Sequence, residues 1–462
     1  MFAGCQKIIW FYILSLRNKC MSAAPTDNAQ NVVEEKKAKK FLFVSIEGLI
    51  GDLAYIMKKE GHEVRYAIID KAERDVCDGF VEKCDDWRAQ IDWADTIIFD
   101  DIGFGHIADD LRKKGKAVVG GTPYSDELED NRRFGQDELA SAGVMVLPHW
   151  DFTDFDEAIA FVQKNPGRYV LKPNGSAQNE KELSFIGQED DGADLLNVLL
   201  HYKKSWSKKL NSFQLQKFVS GVEVAVGAFF NGKDFAGPVN VNFEHKKMFP
   251  GEVGPNTGEM GTLMFWTAQA KIFRETLLKM KAKLAEGGYV GYIDINCIAN
   301  AKGIYPLEFT SRFGYPTISI QMEGVTSSWG EFFHKLARGE DAELKTKKGF
   351  QLGVVVAVPP FPFQDLKAFR RYSEDATIIF KKPAFEGVHL GDVKMVEGDW
   401  RLAGQSGYAI IVTGSALTVE DAQKQAYKRV ENILIPNMFY RTDIGNKWAH
   451  DSDLLHAWEY LY

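Results

Sequence analysis

Apolar residues fall into short runs at the start of the chain, each followed by a polar or glycine-marked turn. Residues 41–45 form such a run, and 63–69, 96–99 and 117–119 repeat it, with a helical stretch ending near Glu60-Gly61-His62. Short apolar runs bounded by turns read as buried strands. Alternating with helices, they predict an open parallel sheet whose ligand crevice lies at the strands' carboxyl ends. Helical spacing then appears at 126–142, an extended exit at 144–148, a helix at 156–164 and a strand at 169–173 ending in Asn174-Gly175. Residues 213–219 and 222–230 predict a pair of strands broken at Ser220-Gly221. A long helix is expected at about 269–286, before strands at 291–299 and 303–309 joined by a turn at Lys302-Gly303. From residue 351 the pattern is strand-rich, and a helix at 419–434 closes it. The pattern contains no internal repeat and predicts a mixed α/β and α+β multidomain chain.

Composition narrows the picture. The chain has 462 residues, 45% of them hydrophobic and 13% aromatic, enough for about three domains and their cores. A net charge of -8 disfavours a nucleic-acid or anionic-membrane partner, either of which calls for a concentrated basic field. The five cysteines, Cys5, Cys20, Cys77, Cys84 and Cys297, are odd in number and lack zinc-knuckle spacing, so free thiols in a reducing cytoplasm are expected. The apolar run at 8–16, between Lys7 and Arg17, is too short to span a bilayer. It reads as an extension ahead of a second methionine, Met21; a signal-peptide core near Ala23-Ala24 is the minority reading.

Four constellations carry chemistry. Lys172 ends an apolar strand before Pro173-Asn174-Gly175-Ser176 and can neutralise nucleotide phosphates; a surface lysine before a turn is the plain alternative. The alternating stretch 214–223 can offer its backbone to a purine and Glu223 to ribose hydroxyls, or be an ordinary amphipathic strand. Residues 254–261 pack three glycines, a proline and Asn256 into eight positions, a loop able to present backbone N–H groups to an anion. Upstream, Glu244-His245-Lys246-Lys247 adds charge. Last, Asp294 or Asn296 faces Glu308 if 291–299 and 303–309 pair antiparallel. Oxygen ligands there suit Mg²⁺ bridging ATP phosphates, and Arg312 is placed to grip a transferring phosphoryl group. The plain alternative is a buried Glu308–Arg312 salt bridge. A dinucleotide site is disfavoured, because the turn after the first strand is not G-x-G-x-x-G.

In order, these segments resemble the ATP-grasp fold and the glycinamide ribonucleotide synthetase (phosphoribosylamine–glycine ligase) family. GPNTGEMG at 254–261 is similar to the family's GPNTGGMG. Residues 308–314, EFTSRFG, resemble its E-F-N-x-R-F-G, and 439–445, FYRTDIG, its F-Y-R-x-D-I-G. Residues 128–134, LEDNRRF, sit where the family has L-E-x-S-K-x-F. The resemblance implies central ATP-grasp domains and an ATP- and Mg²⁺-dependent ligase (Mn²⁺ possible) joining a carboxylate to an amine. It implies that Lys172 and Arg132 contact ATP phosphates and that Gln216, Lys217, Val219 and Glu223 line the adenosine pocket. Glu308, with Asp294 or Asn296, would hold the metal. Arg312 and the loop, through Gly254, Pro255, Asn256, Thr257, Gly258, Met260 and Gly261, would hold the carboxylate, its acyl phosphate and the amine, with Asn256 beside Glu308 and Arg312 in catalysis. The implied layout is an extension at 1–40, an N-terminal α/β domain at 41–150, an ATP-grasp domain at 151–340 with its lid at about 151–222, a small β-rich domain at 341–450 and a tail at 451–462. The chain also departs from the pattern. Its first turn reads SIEGLIGD at 45–52 instead of G-x-G-G-R-E-H-A, Thr310 replaces the metal-site asparagine, Tyr315-Pro316-Thr317 replaces D-P-E, and Tyr408 replaces an arginine. Residues 176–181 replace a glycine-rich loop. An ATP-grasp ligase acting on another acid and amine, or a nucleotide binder with degraded catalysis, are the alternatives.

Overall fold

The first four expected strands and a short unexpected one, Glu82–Lys83, form a parallel sheet in the order Glu82–Lys83, Glu63–Ile68, Lys40–Ser45, Thr96–Phe99, Val118–Val119. Its register aligns Phe41 with Val64 on one side and Thr96 on the other. Continuous apolar runs suit a sheet covered on both faces. Phe41, Phe43 and Ile98 are fully buried, as are Leu53 and Met57 of the covering helix Gly51–Lys59. This is a computed structural model, and it describes residues 37–174 and 183–461. The apolar run at 8–16 and the loop at 176–181 lie outside the described residues. From Ala38 onward the chain forms one compact unit. Among the described residues no helix is long and apolar enough to cross a membrane.

The helix expected at 126–142 is two helices, Pro123–Asp130 and Arg132–Ser141. Thr122 caps the first, accepting from the Ser125 backbone N–H at 3.2 Å. Asn131 leaves the helical region (φ -111°, ψ 90°) and caps the second, accepting from the Phe134 N–H at 3.2 Å. An asparagine side chain competes with helical backbone for such donors, which is why the spacing ran on while the helix stopped. The break leaves Arg132 at the start of a helix.

An eight-stranded antiparallel sheet carries the rest of the core. Its order is Gly303–Thr310, Val290–Asn300, Val222–Asn231, Phe235–Glu244, Gly261–Thr267, Phe350–Val356, Ile410–Ala416, Val388–Leu390. A smaller sheet runs His149–Phe152, Phe213–Lys217, Tyr169–Pro173, Phe185–Ile186. The strands Phe213–Lys217 and Val222–Asn231 are therefore not paired; residues 218–221 cross from the smaller sheet to the larger. At the far end of the crossing, a Cβ on Gly221 would lie 2.3 Å from the Ala299 carbonyl oxygen. Gly221→Ala should cost about 1–3 kcal/mol of stability, read as a lower urea midpoint; an unchanged midpoint would show that the crossing gives way.

Two further corrections are local. The helix expected at 269–286 breaks at Thr276 into Lys271–Glu275, a 3₁₀ turn Leu277–Met280 and Lys281–Glu286. The Thr276 hydroxyl donates back to the Ile272 carbonyl at 2.6 Å, a bond that bends helices. The closing helix stops at Val430, and Ile433–Leu434 pairs instead with Ile379–Phe380. Residues Trp448–Ala457 are helical, and the Trp448 ring packs on Phe243, Phe265 and Phe350.

Candidate functional site

The turn at Lys302-Gly303 sets the register of Val290–Asn300 and Gly303–Thr310. Asn296 lies opposite Glu308, and Asp294 opposite Thr310. Alternate residues of a strand share a face, so these four polar side chains stand on one side of the sheet. On the other flank Asp294 faces Gly227, where a Cβ would fall 2.0 Å from the Tyr292 hydroxyl. Asn296 Nδ2 donates to Glu223 at 3.3 Å and to Glu244 at 3.1 Å. Its buried Oδ1 has no hydrogen-bond partner.

Cations close over these acids. The Lys246 ammonium lies 2.8 Å from Glu223, 3.3 Å from Glu244 and 3.9 Å from Glu308. Arg132 reaches from its helix start, donating Nη1 to the Pro173 carbonyl at 2.9 Å and placing Nη2 3.6 Å from Glu308. Lys172 sits one residue before Pro173. Burial first, and then the positive charge of Arg132, pulls its ammonium down to about 8. Arg132 and Lys246 thus both disfavour the charged form of Lys172, while Glu308 and Glu223 favour it.

Arg312 does not bridge to Glu308. Its Nε lies 3.2 Å from Asp101 and 3.2 Å from Glu129. Glu129 is itself fixed by the Ser311 backbone N–H at 2.7 Å. Burial, then the charge of Glu244, pushes the Asp294 carboxyl up to about 8. A cleft of about 170 Å³ opens between these groups, lined by Glu129, Arg132, Glu308, Thr310 and Arg312.

None of the remaining expected residues lines this cleft. Gln216 lies in Phe213–Lys217, buried, with Nε2 lacking a partner. Lys217 stacks its ammonium 4.8 Å from the Tyr169 ring centre, and Val219 lies on the crossing to the larger sheet. In the glycine-rich loop, Val253–Asn256 forms a small hairpin with Lys247–Phe249. That strand carries Gly254 (φ 90°), where a Cβ would meet the Phe249 ring at 2.7 Å, together with Pro255 and Asn256. The Thr257 and Met260 N–H groups are already spent on the Lys246 and His245 carbonyls, both at 2.8 Å. Gly258 is exposed, and Gly261 opens the strand Gly261–Thr267.

A family model described as the phosphoribosylglycinamide synthetase ATP-grasp (A) domain matches residues 130–318. A solved phosphoribosylamine–glycine ligase from Thermotoga maritima superposes with a TM-score of 0.68 at 18% identity, covering 88% of this chain and 100% of that one. The chain has the ATP-grasp fold. It resembles phosphoribosylamine–glycine ligase, with 27% identity to the Streptococcus pneumoniae enzyme over 358 residues, 75% of this chain and 82% of that one. The biotin carboxylase domain of a Hydrogenobacter thermophilus 2-oxoglutarate carboxylase, solved with MgADP, is similar in fold (TM-score 0.60, 15% identity, 87% and 92% covered).

Within this ATP-grasp site, sequence reasoning brought together Lys172, Arg132, Glu223, Asn296 and Glu308. It passed over Glu244 and Lys246 as flanking charge. The available signal was alternation along Phe235–Glu244, which sets Glu244 on the same face as Asn240 and Asn242. Among the described residues no group of three or more His, Cys, Asp or Glu is arranged to hold a metal unaided. The donors still fit a magnesium-type ion, which takes one or two carboxylates and completes its shell with phosphates and water. Glu308 is half-exposed, and the unpartnered Asn296 Oδ1 stands opposite it.

Proposed function

We propose that the protein is an ATP-dependent carboxylate–amine ligase, most like phosphoribosylamine–glycine ligase of purine biosynthesis, working in the cytoplasm on small molecules without a nucleic-acid or membrane partner. The observation that carries this reading is the convergence of Arg132, Glu308 and Arg312 on one cleft, with Asn296 opposite Glu308 and Lys172 next to the Pro173 whose carbonyl Arg132 holds. The carboxylate oxygen attacks the γ-phosphorus of ATP, giving an acyl phosphate and ADP. The amine then attacks the acyl carbon, phosphate leaves, and the amine nitrogen gives up a proton. No protein nucleophile is needed; positioning and charge neutralisation carry the chemistry.

Lys172 and Arg132 bind the phosphates, and Gln216, Lys217, Val219 and Glu223 frame the nucleoside. Mg²⁺ (or Mn²⁺) would be held by Glu308 and Asn296, with Asp294 behind them, and supplies charge neutralisation on the phosphates. Arg312, braced by Asp101 and Glu129, faces the transferring group, while Asn256 and its loop, 254–261, face the carboxylate. A degraded nucleotide binder has no use for so braced an arginine.

Turnover is tested by ADP formation with ATP, Mg²⁺, glycine and phosphoribosylamine generated in place; dependence on both substrates supports this ligase, and nucleotide binding without turnover excludes these substrates. Lys172→Met should raise KM for ATP roughly tenfold or more; an unchanged KM removes Lys172 from the phosphate site. Bound phosphate favours the charged ammonium, so ATP affinity should fall as pH rises through about 8. Calorimetry near pH 8 in buffers of different ionisation enthalpy should register proton uptake on binding, and heats independent of the buffer would contradict this.

A further inference from the structure

Lys246 is the cation that three acids of the site share. Its ammonium lies 2.8 Å from Glu223, 3.3 Å from Glu244 and 3.9 Å from Glu308. It comes two residues after Glu244, the end of the strand Phe235–Glu244. Its backbone is pinned to the glycine-rich loop: the Lys246 carbonyl accepts from the Thr257 N–H at 2.8 Å and from the Thr257 hydroxyl at 2.9 Å. The backbone is thus fixed, while the ammonium ends a long stem that is 31% exposed. Burial works against its charge, but Glu223, Glu244 and Glu308 outweigh burial and hold its pKa well above the usual lysine value.

An ammonium has three donors and no acceptor, so carboxylates gather around it as they gather around a metal ion. A neutral ligand stands beside them. Asn296 is 5% exposed, and its Nδ2 donates to Glu223 and Glu244 while its Oδ1 has no hydrogen-bond partner. An amide oxygen suits a hard cation, and Lys246 leaves it unused. The ammonium and a divalent ion exclude each other. An ion about 2.1 Å from the Glu308 oxygen that Lys246 approaches would lie within about 6 Å of the ammonium. A single and a double positive charge that close repel strongly unless negative charge comes between them. ATP brings that charge in its β- and γ-phosphates, which the ion bridges.

We propose that Lys246 is a built-in counter-ion that closes the metal site to a free divalent ion and yields Glu308 only to an ion arriving with the nucleotide. This rests on the ligase reading and its metal assignment, and adds the order of binding to them.

The test is Mn²⁺ binding to the full chain, read from the electron-spin-resonance signal of the unbound ion, with and without a non-hydrolysable ATP analogue. Wild-type protein should bind Mn²⁺ far more weakly without the analogue than with it. Lys246→Met should bind free Mn²⁺ roughly tenfold or more tightly than wild type, and the enhancement by the analogue should shrink to match. Lys246→Gln, a second neutral variant, should do the same, and Lys246→Arg, which keeps the charge, should behave as wild type. Adding Glu308→Gln to Lys246→Met should remove the gain. Circular dichroism verifies each fold. Wild-type protein that binds Mn²⁺ equally well with and without the analogue overturns the proposal before any variant is made. Equal free-ion affinity in wild type and both neutral variants, or a gain that survives Glu308→Gln, overturns it too. Failure of wild type to bind the analogue with Mn²⁺ at all overturns the ligase reading instead.

Discussion

Glu308→Gln is expected to fold normally and to lose about 10²–10³-fold in turnover. The side chain is 48% exposed, and its ion pairs to Arg132 and Lys246 are long, at 3.6 and 3.9 Å. Such pairs contribute about 0–1 kcal/mol, so the stability change should be small. The catalytic change should be large because the carboxylate stands opposite Asn296 and lines the cleft where, on the proposed reading, phosphate charge would develop. Removing one preorganised electrostatic group of this kind costs about 2.7–4 kcal/mol in the transition state. Raising Mg²⁺ or Mn²⁺ should recover part of the loss if Glu308 holds the ion. Turnover equal to wild type, measured as ADP release, would remove Glu308 from the metal site.

Arg441→Met should destabilise the protein by about 3 kcal/mol or more. The arginine is 0% exposed. It donates to Asp443 through Nε at 2.8 Å and Nη2 at 2.7 Å, to Glu252 at 2.8 Å and to the Lys247 carbonyl at 2.9 Å. Removing one partner of a buried ion pair costs about 3–5 kcal/mol, because the other charge is stranded. Asp443 and Glu252 are 20% and 41% exposed, which places the effect at the lower end of that range. The contacts also tie residues 439–445 to the hairpin that leads into the 254–261 loop, so KM for the carboxylate should rise as well. Urea unfolding checks the first effect; a change below about 1 kcal/mol would mean that water replaces the guanidinium.

How much was legible follows from how locally each feature is determined. The parallel strands were readable because both faces are buried and the apolar runs are unbroken. The antiparallel pairing across the Lys302-Gly303 turn was readable, but whether Asp294 or Asn296 faces Glu308 was not, because the register shifts between Asn296 and Cys297. Sheet membership was not readable: Phe213–Lys217 and Val222–Asn231 are neighbours in sequence, yet their partners, Tyr169–Pro173 and Val290–Asn300, are far off in the chain. The break at Asn131 was hidden because helical spacing continues through a residue that serves as a cap. Lys246 and Glu244 looked like surface charge until Glu223 and Asn296 were brought beside them. Pair partners of Arg312 came from Asp101 and Glu129, on elements the motif does not contain.

The crossing at 218–221 sets a length scale. Fully stretched, its few residues span about 13 Å, and Gly221 is wedged against Ala299 at one end. So short a crossing limits how far the smaller sheet can move from the larger one. On the proposed nucleotide reading, a purine seated beside this short tether would act as a pin in a hinge, leaving only when the hinge opens. Product escape, rather than bond formation, would then be the expected pacemaker of the cycle.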